Sequence, residues 1–148
     1  MKNVDLGDRP EWSKPFISSC LYMDRCVVDD QDIGWGVFTS EFIKKSTMIE
    51  VAPVVVLDCE QETINDYVIC NYILSWRTPE DSLKKIALPF GWTMHYNHSD
   101  NNSCAFAMNT EQEMVGIMSL RDISPNEQIT VNYGVDWFTS RNIVKLNI

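Results

Sequence analysis

Five sets of residues in this chain could take part in chemistry. Gly34-Trp35-Gly36 is one. Without a Cβ, glycine lets backbone approach a ligand closely, although the same residues also make a plain tight turn. Asn97-His98 opens a polar run that ends at Ser103. Its amide and imidazole offer paired donors and acceptors. A lone His with no second ligand at useful spacing argues against a metal. Tyr133 closes a strand-like alternation that begins at Ile129. A buried phenol there either orients a reacting group or needs a partner in the core. Trp137-Phe138 follows directly, able to stack on a flat ring or to close the core. The five cysteines, Cys20, Cys26, Cys59, Cys70 and Cys104, form no Cys-x-x-Cys pair. They read as reduced thiols serving as apolar filler rather than as zinc ligands.

These residues need elements to hold them. Cys20 to Val28 reads as a strand ended by the acidic turn Asp29-Asp30-Gln31-Asp32, and Val37-Phe38 begins another. Met48 to Val51 and Val54 to Leu57 read as two strands separated by Pro53. Ile64, Tyr67, Val68, Tyr72 and Ile73 fit a helical stripe, which predicts one or two short helical pieces between Glu60 and Trp76. Thr78 to Lys85 reads as a polar loop or short helix. Cys104 to Met108 and Val115 to Leu120 make a hairpin, and Ile129 to Tyr133 is the final strand. Many short strands with Gly and Pro punctuation predict a mainly β fold of several small sheets with short helices.

Composition sets bounds. The 148 residues suit a single domain, 1–148, with 1–18 as an N-terminal extension, 19–134 as core and 135–148 as a C-terminal closing segment. No apolar run reaches the roughly 18 residues of a membrane span, and the polar N-terminus lacks a secretory signal. An intracellular setting follows, cytoplasm or nucleus, with no membrane partner. The net charge of −9 argues against direct nucleic-acid binding. It suits a basic protein partner, though charge alone favours simple solubility. The oligomeric state is open, a homodimer included.

Taken in order, several segments resemble the SET-domain protein-lysine methyltransferases. Gly34-Trp35-Gly36-Val37-Phe38 followed by Ile43 to Glu50 is similar to the family's opening motif. Tyr96-Asn97-His98-Ser99-Asp100 followed by Cys104-Ala105 is similar to its Asn-His-Ser loop. Leu120 to Gly134, with Arg121-Asp122-Ile123 and Thr130-x-x-Tyr133-Gly134, is similar to its closing motif, and Trp137-Phe138 follows. The resemblance covers roughly residues 19–140, and its strength lies in the joint order and spacing. The compactness resembles the minimal viral or phage members. Ser46 and Asn126 stand where the family usually has Gly. Asn102-Ser103 stands where it has Pro-Asn. No cysteine follows Tyr133, so the tail must close the site without zinc.

The resemblance implies S-adenosylmethionine as cofactor, S-adenosylhomocysteine as product, no metal, and a lysine-containing protein as substrate. It implies that Gly34, Trp35, Gly36, Asn97, His98, Tyr133, Trp137 and Phe138 hold the cofactor. Tyr133 is the catalytic tyrosine, with Tyr72 as a second, and Tyr72, Phe106 and Val131 line the substrate channel. Either Trp137 or Phe138 stacks on adenine, and His95 is incidental. Phe106 and Val131 carry no hydroxyl, so methylation is expected to pass beyond the first methyl. The tail is expected to thread beneath the Asn97–His98 loop, like a pseudoknot. The rivals are an inactive SET-like module that binds S-adenosylmethionine or a peptide, and an unrelated β domain.

Overall fold

A computed structural model describes residues 12, 14–59, 63–77, 85–146 and 148. Ten strands are described: β1 Phe16–Ile17, β2 Leu21–Val28, β3 Gln31–Thr39, β4 Met48–Leu57, β5 Leu74–Trp76, β6 Lys85–Pro89, β7 Asn97–His98, β8 Cys104–Asn109, β9 Met114–Ser119 and β10 Gln128–Val131. One helical turn, α1 Asp136–Thr139, and 3₁₀ turns at Ile69–Tyr72 and Thr93–His95 complete them. One sheet runs β5-β6-β4-β9-β8, with β1 also on β4; the other runs β2-β3-β10-β7.

β-Branched and aromatic side chains make these strands, and their inward faces build one core. Val37, Ile49, Ile117, Ile123, Ile129 and Val131 are fully enclosed between the sheets, with Tyr96 among them. Val37 sits opposite Ile129 across β3 and β10, an apolar cross-strand pair that pins the register. Two turns bracket the core. Ile43 bridges Ile123, Asp122 Oδ1 accepts the Lys45 N–H at 2.8 Å, and Arg121 pairs with Glu127 at 2.6 Å. Ser46 (φ 65°) and Asn126 (φ 64°) take left-handed backbone at the two positions where the resembled family carries Gly.

Several expectations needed correction. Gly34-Trp35-Gly36 is not a tight turn: it lies inside β3, and the turn is at Asp29 and Asp30, both with positive φ. A bulge between Cys26 and Val27 shifts the pairing, and Gly34 (φ 104°) absorbs the irregularity in the facing strand. Pro53 does not interrupt the strand it sits in. β4 runs through it, and Pro53 lies where pairing passes from β9 to β6. Leu74–Trp76 is a strand rather than the end of a helical stripe; within that stripe the four-residue helical piece is Ile69–Tyr72. The predicted Thr78–Lys85 element lies, up to residue 84, outside the described residues. So does most of the N-terminal extension; of it, Trp12 is buried against Val51 and Ala107, and Phe16–Ile17 adds to the β4 edge.

Candidate active site

The parallel pairing of β7 with β10 builds the site. It sets Asn97 opposite Thr130 and His98 opposite Val131, which brings Tyr133, two residues past β10, against the imidazole. The Tyr133 backbone N–H donates to His98 Nδ1 at 3.1 Å, and the rings lie 5.4 Å apart. Because Nδ1 accepts, the neutral imidazole carries its proton on Nε2. That atom is buried without a hydrogen bond, 3.3 Å from Asp100 Oδ1 but not aligned with it. Burial, aided by the Lys145 charge, holds the His98 pKa below its usual value, and Asp100 only partly opposes this.

Ser103 shows how the loop is locked where the resembled family has Asn. Its Oγ accepts from the Thr130 N–H at 3.0 Å, and its N–H donates to Thr130 Oγ1 at 3.3 Å. From the other side the tail returns to the loop. Lys145 pairs with Asp100, and Ser99 Oγ donates to the Ile148 carbonyl at 3.0 Å.

β3 supplies the opposite wall. Asp32 Oδ1 accepts the Gly34 N–H at 2.9 Å, while Oδ2 holds Arg25, whose guanidinium lies 5.2 Å over the Trp35 ring. The Arg25 partner and the Gly34 N–H keep the Asp32 carboxyl below its usual range. Asn97 Nδ2 donates to the Trp35 carbonyl at 3.3 Å, which ties the two walls together. A Cβ on Gly36 would come within 3.0 Å of Asn97 Nδ2 and 2.6 Å of Gln128 Nε2, so a larger residue would have to displace these two side-chain amides.

An aromatic cluster forms the floor. Trp137 lies 4.7 Å from Tyr133, and Phe138 lies edge-on to His98 at 4.8 Å. Together these groups enclose a cavity of about 420 Å³. Gly34, Trp35, Asn97, His98, Tyr133, Trp137, Phe138 and Tyr72 all line it; Gly36 acts from behind, through Asn97. A second cavity of about 270 Å³ shares Tyr133 and Trp137 with the first and is lined also by Ser75, Arg77, Asp136 and Arg141. Those two aromatic residues are the partition between the cavities.

The Tyr133 hydroxyl donates to the Tyr96 carbonyl at 2.8 Å, and burial, with Tyr72 nearby, pushes its pKa well up. Tyr96 is itself fixed by the acid that ends the opening motif, for which the motif implied no role. Fully buried Glu50 accepts from the Tyr96 hydroxyl at 2.6 Å, the Trp92 N–H at 2.8 Å and Thr93 Oγ1 at 3.1 Å. Its carboxyl is pushed up by burial, against the pull of these donors.

Phe106 and Val131 are not brought to the wall of either cavity. They are 8% and 0% exposed in the core, packed in one cluster with Ile117 and Ile129. His95, read as incidental, lines the larger cavity beside Tyr72, their rings 6.5 Å apart. Ile143, Leu146 and Ile148 of the tail line it too, visible in the sequence only as an apolar run. Among the described residues no three His, Cys, Asp or Glu side chains gather as a metal site. The Cys104 thiol is pushed up to about 12 by burial, as suits filler.

The SET domain family model matches residues 34–134, and the chain belongs to this family. A Schizosaccharomyces pombe protein, histone-lysine N-methyltransferase, H3 lysine-37 specific, is 29% identical over 113 residues, 74% of each chain. A solved structure from Plasmodium falciparum, assigned by name to the histone methyltransferases, superposes with a TM-score of 0.61 at 22% identity. It covers 82% of this chain and 99% of its own, and shows the shared fold.

Proposed function

We propose that this chain is an S-adenosylmethionine-dependent protein-lysine N-methyltransferase. The observation that carries the reading is the partition: Tyr133 and Trp137 belong to both cavities. In-line transfer between two substrates needs donor and acceptor to meet from opposite sides, already oriented.

The larger cavity suits the cofactor. About 420 Å³ falls within the roughly 300–1,000 Å³ of small-molecule sites, and its aromatic walls suit both a flat base and a cation. The Asn97 amide and the orphaned, buried His98 Nε2–H supply polar contacts. Gly34, Trp35, Asn97, His98, Tyr133, Trp137 and Phe138 would hold the group, with Gly36 behind them. When bound, S-adenosylmethionine supplies a methyl group on a sulfonium centre.

The protein's own task is to orient and dry the amine. A free lysine is neutral only about once in 2,500 at pH 7. Enclosure by Tyr133 and Trp137 disfavours the ammonium form and excludes water. The Tyr133 proton is committed to Tyr96, so the hydroxyl faces an incoming amine as an acceptor. Its raised pKa keeps it neutral, so it orients the amine and is not its base. Tyr72, expected in the substrate channel, lines the cavity assigned to the cofactor and not the smaller one, so its hydroxyl would act from the cofactor side.

The substrate is a lysine of a histone or another basic protein, drawn by the −9 charge, in an intracellular compartment. The product passes beyond monomethyl-lysine on the resemblance alone, since Phe106 and Val131 stand where some relatives carry pocket hydroxyls but reach the wall of neither cavity. Calorimetry tests the reading. S-adenosylmethionine raises the melting temperature by mass action, and Asn97→Ala shrinks the shift. No binding by the unaltered chain refutes methyl transfer and favours an unrelated function. Binding without labelling of any protein in a cell extract favours an inactive module.

A further inference from the structure

Resting on the methyl-transfer reading, we propose that Arg141 is a positioning residue that holds the partition and the rim of the cofactor cavity in place. Ring contacts hold each of the two elements concerned to the site, Tyr72 beside His95 and Trp137 and Phe138 against Tyr133 and His98, but these contacts do not join the two elements to each other. Neither the Ile69–Tyr72 turn nor α1 contains a buried residue. Yet Asn71 and Tyr72 of the first, and Trp137 and Phe138 of the second, line the larger cavity. Asp66 Oδ1 holds the start of the turn through the Val68 and Ile69 N–H groups. Nothing in that contact joins the turn to α1.

Arg141 makes that join. Its Nη2 donates to the Cys70 carbonyl at 2.7 Å and its Nε to Asn71 Oδ1 at 3.1 Å. Its Nη1 donates back to the Trp137 carbonyl at 3.2 Å and to Ser140 Oγ at 3.1 Å. The guanidinium carbon also lies 4.6 Å from the centre of the Trp137 ring, the ring shared by both cavities. One planar fork therefore grips the turn, the helix and the face of the partition. Arg141 lines the 270 Å³ cavity and a neighbouring one of about 620 Å³, but not the 420 Å³ cavity assigned to the cofactor. Its influence on the cofactor must pass through Trp137 and the turn. A lysine keeps the charge but offers its donors from a single point, so it cannot span both elements.

The test uses the full chain, S-adenosylhomocysteine as probe, and the variants Arg141→Lys and Arg141→Ala. Amide exchange in segments 66–73 and 136–142 should quicken in Arg141→Lys while the core strands stay protected. Binding, measured well below the melting temperature, should weaken about tenfold, the loss of one charge-assisted contact. Guanidinium ion at low millimolar concentration should partly restore binding in Arg141→Ala and change nothing in the unaltered chain, a response that a general loss of stability does not give. Undiminished binding in Arg141→Lys overturns the proposal. If the unaltered chain binds no S-adenosylhomocysteine, the methyl-transfer reading fails instead. The exchange measurement needs no ligand and still decides whether Arg141 clamps the two elements.

Discussion

Replacing Tyr133 by Phe removes one oxygen and leaves the ring. The rings of His98, Trp137 and Phe138 keep their neighbour, at 5.4, 4.7 and 6.1 Å, so the aromatic floor survives. The hydrogen bond to the Tyr96 carbonyl is lost. A net bond of this kind contributes about 1 kcal/mol, and leaving the acceptor unpaired raises the cost to about 1–2 kcal/mol. For a chain of this size that lowers the melting temperature by roughly 3–8 °C. Turnover should fall more sharply, because the hydroxyl lone pairs are the acceptor proposed to orient the amine. At least about tenfold is expected, roughly 1.4 kcal/mol of barrier. Scanning calorimetry reads the first effect, and single-turnover transfer of labelled methyl to a lysine peptide, with both ligands saturating, reads the second. A variant that melts lower but transfers methyl at the unaltered rate would refute the role of the hydroxyl and leave Tyr133 a structural residue.

His98 predicts an acid limb. Its folded pKa lies below 6.5, so the unfolded chain takes up a proton more readily. Its contribution to stability is therefore complete above about 6.5 and is lost as pH falls through the folded value. Because protonation also displaces the Tyr133 N–H, turnover should decline over the same window; a pH profile flat from about 7 down to 5 contradicts this. Ser46→Gly should stabilise. Left-handed backbone costs a non-glycine residue about 1–2 kcal/mol, and the added freedom of the unfolded glycine offsets about half. A rise of about 1–4 °C on calorimetry is expected, larger than for Asn126→Gly, since Asn tolerates that conformation better than Ser. Exhaustive reaction on a lysine peptide should yield species beyond one added methyl by intact mass, and a product that stops at one counts against the reading drawn from Phe106 and Val131.

The elements legible in the sequence are those that local pattern determines. The alternation from Ile129 announced β10, and Asn109 to Glu113 announced the hairpin between β8 and β9. The position of Gly34-Trp35-Gly36 was not legible, because a bulge at Cys26 and Val27 is a property of pairing rather than of either strand. Nor was β5, whose three residues, Leu74, Ser75 and Trp76, follow a stripe that reads equally well as helix. Both errors concern which strand pairs with which, where composition is silent.

The site divides along the same line. Gly34, Asn97, His98, Tyr133 and Trp137 sit in short motifs, so their types and spacing exposed them before any geometry was known. Glu50 ends the opening motif with no role attached to it, and Arg141 lies outside every motif, yet each holds residues that do carry a role. Glu50 reaches Tyr96 across 46 positions, and Arg141 reaches Asn71 across 70. In sequence a base after Ser140 looks like any surface charge, and the place of Glu50 in a motif does not say what it touches. Only burial gives Glu50 its meaning, since a fully enclosed carboxyl with three donors around it must order whatever supplies them. One of those donors is Tyr96, whose carbonyl receives the Tyr133 hydroxyl. The visible tyrosine thus owes its orientation to a carboxyl that its own motif does not contain, and a search confined to the candidate site residues would find the proposed orienting hydroxyl without what aims it.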